Sequence, residues 1–288
     1  MENKKNFTAN LKRLSPITGI IALLVISFFI SWNEVWQGFK DVNLPYLVPS
    51  ALFTSAFVIV ETLRLRRVLG NYRLEKLLRI FSLSRLIGIG TVHLAGEGIL
   101  LGALKLSGFS LKSATIALLQ LRCLDLGVIC LVVGIYGNTY FSFSISMIGF
   151  GLIAVIIWKR RNLNYLREII LSSLFMYLFF ALSVIASAKA VRIDIGKIDV
   201  IRVSAVSVLS QVLPITPLGL GTRDLSLIAL LSSFGVSREK ALVFSWIEFI
   251  VVSVISLSLI YLVSLIFEKL KDKSISLNKR ETAEILKE

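Results

Sequence analysis

The sequence predicts an all-α polytopic membrane protein, with about six full transmembrane helices plus two re-entrant helical hairpins in inverted repeats. Three features point there. The 288-residue chain is 56% apolar and only 17% charged, with a mean hydropathy of +0.81, whereas soluble domains run to about a quarter charged. Several charge-free stretches approach the roughly 20 apolar residues that a helix needs to cross a bilayer. Two further apolar stretches are interrupted by glycines, prolines and charges.

Taken in order, the first crossing spans Leu14–Asn33. It lacks an Ala-x-Ala-like cleavage site and more spans follow it, so it reads as a retained helix and not a signal peptide. Val42–Val60 is the second. Leu126–Trp158 is uncharged but too long for one helix, and it divides at the turn cluster Gly134-Ile135-Tyr136-Gly137-Asn138-Thr139. That division gives crossings over about 113–135 and 140–158. Ile169–Ala188 is the fifth, and Phe249–Phe267, extended back to Ala241, is the last. The interrupted stretches are Arg79–Ser107, with Arg85, Glu97, Lys105 and Gly88, Gly90, Gly96 and Gly98, and Val203–Phe234, with Pro214, Pro217, Arg223 and Asp224. Their second arms, Gly98–Ser107 and Leu225–Phe234, reach roughly half a bilayer as helices.

Charge sets the orientation. Thirty-two Lys and Arg against 18 Asp and Glu leave a net charge of +14. Most of the excess falls in three patches: Lys4, Lys5, Lys12 and Arg13; Arg64, Arg66, Arg67, Arg73, Lys76 and Arg79; and Lys159, Arg160, Arg161 and Arg167. Cytoplasmic segments collect such residues, so all three patches are assigned there, as loops, with both termini cytoplasmic in the cell membrane. Residues 34–41 then face outward. Parity requires 80–110 to cross an even number of times, as a hairpin opening to the cytoplasm, and makes 203–236 a hairpin opening outward. Hydrophobicity excludes a disordered basic tail, and the lack of long polar faces argues against a nucleic-acid partner. One His and two Cys leave no zinc site or disulfide framework, and no metal or cofactor is expected.

Shifting the chain by 127 residues lays Glu97 on Asp224, Leu100 on Leu227, Leu104 on Leu231, Gly108 on Gly235, Ser110 on Ser237 and Ala114 on Ala241. Repeat 1 is about 46–136 and repeat 2 about 173–263, with opposite orientations because three crossings separate the hairpins. Both lie in a single integral membrane domain, 14–267, between a cytoplasmic N-terminus, 1–13, and a charged cytoplasmic tail, 268–288. Inverted repeats with discontinuous helices are a transporter architecture, with the site at the repeat interface.

Ala95-Gly96-Glu97, followed by Gly108 and by Leu121-Arg122-Cys123-Leu124-Asp125, and the run Leu213-Pro214-Ile215-Thr216-Pro217-Leu218-Gly219-Leu220-Gly221-Thr222-Arg223-Asp224, carry a resemblance. Together they resemble the two motifs of the flippase-like, lysylphosphatidylglycerol synthase transmembrane-region family, over about 46–267. Leu218 stands where that family has a glycine, and Asp224 where it has a glutamate. Only 21 residues follow Phe267, too few for the soluble aminoacyl-transferring domain of the synthases, so no lysyl-lipid synthesis is expected.

A charge inside a membrane segment costs about 2.5–3.5 kcal/mol on insertion scales, so it turns to a partner or to water. Arg122 and Asp125 lie on one helical face, where they can form a structural ion pair or where Arg122 can hold a lipid phosphate with Asp125 orienting it. Glu97 and Asp224 either cap the short second arms or flank a cavity. Arg223 offers charge to an anionic head-group, Glu248 approaches from the other repeat, and Gln211, Pro214 and Pro217 line the second tip. Glu61 and Arg85 read as paired or as snorkelling anchors. His93 reads as structural or as a proton relay. Cys123 and Cys130 read as apolar fillers, and Trp32, Trp36, Tyr46, Tyr136, Tyr140 and Trp158 as an aromatic belt.

These residues and the resemblance imply a lipid translocator, not an enzyme, moving an anionic phospholipid or a polyprenyl-linked sugar. Two alternatives stay open: an accessory subunit partnering a lipid-synthesis enzyme or glycosyltransferase, and a membrane transferase using Glu97, Asp125 or Asp224. The oligomeric state is left open.

Overall fold

Among the described residues, four helices in the computed structural model are long and apolar enough to cross a membrane: Leu44–Leu69, Leu111–Leu131, Arg167–Ala190 and Arg238–Leu270. The structure describes residues 24–70, 72–89, 93–135, 149, 151, 163–212 and 221–270, and every regular element among them is helical. A short helix over 24–29, α1, is followed by α2 (Trp32–Lys40) and a 3-10 turn at Leu44–Tyr46. The first half of the bundle is α3 (Leu47–Leu69), α4 (Leu74–Ile89), α5 (His93–Leu106) and α6 (Leu111–Ile135). The second half is α7 (Leu163–Ala190), α8 (Lys197–Val212), α9 (Thr222–Ser233) and α10 (Arg238–Leu270), with a π-helical stretch, Ile250–Ser256, inside α10.

α3 and α7 pack lengthwise and antiparallel. Their seam is made of hydroxyls: Ser50 Oγ lies 2.9 Å from Ser183 Oγ and 2.8 Å from Ser187 Oγ, and Thr54 Oγ1 lies 2.7 Å from Ser183 Oγ. All four side chains are fully buried. Water provides no drive between helices in lipid, so close approach of small residues and interhelical hydrogen bonds hold such seams. One apolar core, including Phe180, Val184, Leu227, Leu231 and Phe244, lies where α7–α10 meet α1 and α2. A second, including Leu65, Leu77, Phe81, Leu100 and Leu124, is enclosed by α3–α6 and the far half of α10.

The two short arms end in the same turn. At the end of α5, Gly108 (φ +95°) donates to Lys105 O at 3.0 Å and Phe109 N–H to Leu104 O at 3.1 Å. At the end of α9, Gly235 (φ +82°) donates to Ser232 O at 3.0 Å and Val236 N–H to Leu231 O at 3.1 Å. These are Schellman caps, whose left-handed residue favours glycine. Ser110 Oγ and Ser237 Oγ then accept from the N–H groups of Ser113 and Lys240, starting α6 and α10. Leu100, Leu104 and Ala114, like Leu227, Leu231 and Ala241, are buried. The residues paired by the 127-residue shift thus hold equivalent positions in two turns of one geometry.

Several expectations change. The first span does not run unbroken to Asn33: the chain leaves the helix at Ile30 and Ser31, and α2 starts at Trp32. α2 buries Val35 but exposes Trp32 and Trp36, so it is amphipathic and unsuited to crossing. α3 continues past Val60 to Gly70, because nothing after Pro49 interrupts it and Gly70 (φ +94°) ends it. Arg64, Arg66 and Arg67 are therefore helical, not part of a cytoplasmic loop, and Arg64 is buried. α10 likewise reaches Leu270, and its Glu268 pairs with Arg79 at 2.5 Å. The crossings over 14–23 and 140–158 lie outside the described residues, apart from Gly149 and Gly151.

Candidate functional site

Three arginines and three carboxylates from four successive helices meet inside the first half of the bundle. α3 supplies Glu61 and Arg64, α4 Arg85, α5 Glu97, and α6 Arg122 and Asp125. Arg122 Nη2 donates to Glu97 Oε1 at 2.5 Å, and Arg122 Nη1 to Glu61 Oε1 at 3.1 Å. Arg85 Nη2 donates to the same Glu61 oxygen at 2.7 Å and lies 3.9 Å from Glu97. Arg64 Nη2 donates to Asp125 Oδ1 at 2.8 Å, while Arg122 stands 3.7 Å from Asp125 Oδ2. Three charges of each sign cancel, so the insertion cost of each is offset by paired neighbours in a medium of low dielectric.

The network has a sealed side and an accessible side. Arg64 and Asp125 have side chains 1% and 8% exposed, whereas those of Arg122, Arg85 and Glu97 are 25%, 19% and 18% exposed. Tyr177 of α7 closes the sealed side by donating its hydroxyl to Asp125 O at 3.1 Å. On the accessible side, the Arg85 guanidinium sits over the Phe81 ring at 5.1 Å. α4 and α5 can bring Arg85 and Glu97 this close because glycines face each other. A Cβ on Gly88 would stand 2.9 Å from Gly96 Cα, and one on Gly96 would stand 2.9 Å from Ser84 O.

A second cluster joins α8, α9 and α10. Arg223 Nη2 donates to Glu248 Oε2 at 3.0 Å and also to Ser245 O. Ser207 Oγ donates to Glu248 Oε1 at 2.7 Å. Asp224 accepts from Ser245 Oγ at 2.5 Å and from Gly221 N–H at 3.0 Å, so it caps α9. Arg223, Asp224 and Glu248 are all buried. This cluster joins helices and presents no open charge.

Glu97, Arg122 and Asp125 therefore come together, and Arg223, Asp224 and Glu248 come together elsewhere, beside the other apolar core. Glu97 is the fifth residue of α5 and not at its tip, because α5 starts at His93 and not at Gly98. Arg223 does not reach out for a head-group, since Glu248 takes its guanidinium. Gln211 lies in α8, but its side chain, like Pro214, Pro217 and the His93 side chain, is outside the described residues. From the sequence, Glu61 and Arg85 read as paired or as snorkelling anchors and Arg64 as part of a cytoplasmic basic patch, not as members of one network with Arg122 and Asp125. A signal was present: Glu61-x-x-Arg64 and Arg122-x-x-Asp125 are charge-complementary pairs at helical spacing.

Residues 157–260 match the model of the family described as the lysylphosphatidylglycerol synthase TM region. The match bears out the resemblance over α7, α8, α9 and most of α10, including the second motif. No curated protein matches the chain. Four apolar helices of sufficient length and this family match make the chain a multi-pass helical membrane protein.

Proposed function

We propose, with that family match as the premise, that the chain is a lipid translocator of the cell membrane. It moves an anionic phospholipid or a lipid-linked sugar between leaflets, with both termini in the cytoplasm. The observation that carries this reading is the six-membered ion network inside a bundle of apolar helices, with Arg122, Arg85 and Glu97 at its accessible edge. A structural lock needs no such edge; a site for exchanging charge does.

The chain entering α4 and the chain leaving α5 meet where the Tyr72 and Phe109 rings contact at a centroid distance of 5.3 Å. Both ends of the α4–α5 pair thus lie at one end of the bundle, which supports a re-entrant hairpin. At the opposite end Val191, Ile193, Phe234 and Val236 share one core, as an oppositely facing second hairpin requires. Chain segments that turn at membrane depth do so where protein buries them or a watery cavity meets them.

In this reading an anionic head-group replaces Glu97 on the planar fork of Arg122, which suits a phosphate bidentately. Glu61 keeps Arg122 and Arg85 in place meanwhile, and Asp125 with Arg64 fixes the far side. Removing the guanidinium leaves Glu97 and Glu61 without it, so Arg122→Gln slows translocation by about tenfold or more, the loss of one charge-assisted contact. The test is reconstitution in vesicles with a panel of labelled lipids, reading transbilayer movement. No acceleration by folded wild-type protein across the panel sinks the proposal. A covalently altered lipid would instead make the chain a transferase.

A further inference from the structure

Beside the ion network, and sharing Arg64 with it, a cavity of about 280 Å³ opens between α3 and α7, lined by Leu63, Arg64, Arg67, Glu168, Phe175 and Phe179 among others. It lies at the end of α3 that leads into Tyr72, the cytoplasmic end in the reading above. Arg64 forms a wall of the cavity with its side chain 1% exposed. Among the described residues, its Nη2 is bound to Asp125, its Nη1 meets only the Met176 sulfur at 3.1 Å, and its Nε has no acceptor. A thioether is a weak acceptor, and a guanidinium carries five donors, so this buried cation is under-satisfied.

One turn further along α3, Arg67 pairs with Glu168 across the cavity mouth, with side chains 64% and 50% exposed. An ion pair so exposed to water is weak and exchanges readily. Asp125 balances Arg64 and Glu168 balances Arg67, so what the cavity offers an anion is the spare donor capacity of the guanidiniums and not a net charge. Apart from Ser172, its remaining walls are aliphatic and aromatic, and at this volume it holds a head-group but not acyl chains.

We propose that this α3–α7 cavity binds the phosphodiester of an anionic phospholipid from the cytoplasmic leaflet. One phosphate oxygen takes the Arg64 donors now left to Met176 and to no acceptor. Another displaces Glu168 from Arg67, while the acyl chains lie along the outer surface of the bundle beside Phe175. Because Arg64 also holds Asp125, a head-group seated here is one side chain away from Arg122, which makes the cavity the loading point of the network. That last role rests on the translocator reading; binding itself does not.

The experiment is native mass spectrometry of the full chain in detergent, titrated with phosphatidylglycerol, phosphatidylcholine or inorganic phosphate. Arg67→Gln, at an exposed position, weakens phosphatidylglycerol binding by about tenfold, the value of one charge-assisted contact. Glu168→Gln strengthens it by removing the competing carboxylate, a gain that a structural role would not produce. Ser172→Trp fills the cavity and abolishes binding, and Arg79→Gln, on α4, leaves it unchanged. Should Ser172→Trp fail to fold, the Arg67 and Glu168 variants decide. Equal binding of phosphatidylcholine, displacement by inorganic phosphate at matched concentration, an Arg79 effect as large as that of Arg67, or no opposed change between the Arg67 and Glu168 variants overturns the proposal. Transport lost in vesicles while this binding profile holds would overturn the translocator reading alone.

Discussion

Arg64 and Asp125 meet at 2.8 Å with almost no solvent between them, so neither charge is tolerable without the other. Breaking a buried pair by removing one partner is strongly destabilising, whereas replacing both with apolar residues is often neutral or better. Arg64→Met is therefore expected to cost about 3–5 kcal/mol in an unfolding titration from mild detergent into SDS. Arg64→Met combined with Asp125→Leu should recover most of that loss, because the two effects are coupled and not additive. A double variant as unstable as the sum of the singles would show that the pair is not what holds α3 to α6. The same reasoning separates Arg64 from Arg122: the first is sealed and structural on its α6 side, and the second has room to change partners.

At the level of elements, the short arms α5 and α9 are defined by how they stop. Each ends in a glycine held in the left-handed region and is followed at once by a serine that starts a long helix. Gly108→Ala or Gly235→Ala keeps every other contact, since a Cβ there meets nothing within 4 Å, yet forces an L-residue into that conformation. Each should cost about 1–2 kcal/mol in the same titration. Gly102→Ala, inside α5 and equally free of contacts, should instead stabilise by about 0.5–1 kcal/mol. If all three alanine variants behave alike, the turn geometry is not what sets the arms. The α3–α7 seam works differently, through four buried hydroxyls whose bonds individually average about 0.6 kcal/mol in a membrane.

For the whole molecule, the prediction concerns sidedness. Single cysteines, in a background with Cys123 and Cys130 replaced, would be placed at Lys76 and Lys112 and at Asp194 and Lys240. Asp194 precedes α8 and Lys240 follows α9, whereas Lys76 opens α4 and Lys112 follows α5. In sealed vesicles of known orientation, the Lys76 and Lys112 positions should label with an impermeant thiol reagent from one face, and the Asp194 and Lys240 positions from the other. Labelling of 76 and 112 from opposite faces would mean that α4 and α5 cross the membrane, and the inverted hairpins would be wrong. The two apolar cores, one per half of the bundle, fit two units joined along α3 and α7.

Much of this protein is legible in one dimension because the relevant physics is local. Whether about 20 residues can cross a bilayer depends on their own transfer energies, so α3, α6, α7 and α10 are visible as apolar runs. A turn that demands glycine at positive φ is likewise written in three or four residues, and Gly108-Phe109-Ser110 and Gly235-Val236-Ser237 are readable as one signal twice over. Charge alone marks the end of α3 at Val60, nine residues before the helix stops at Leu69. In the folded protein Glu61 and Arg64 stay helical inside the bundle, since carboxylates and guanidiniums on neighbouring helices neutralise them. That neutralisation is non-local: Glu61 finds Arg122, and Arg64 finds Asp125, across 61 residues of chain. The sequence by itself determined a helical membrane protein with charges it must hide. Only the tertiary structure decided which charges hide together, because pairing depends on which helix faces are brought within about 4 Å, and no local propensity specifies that.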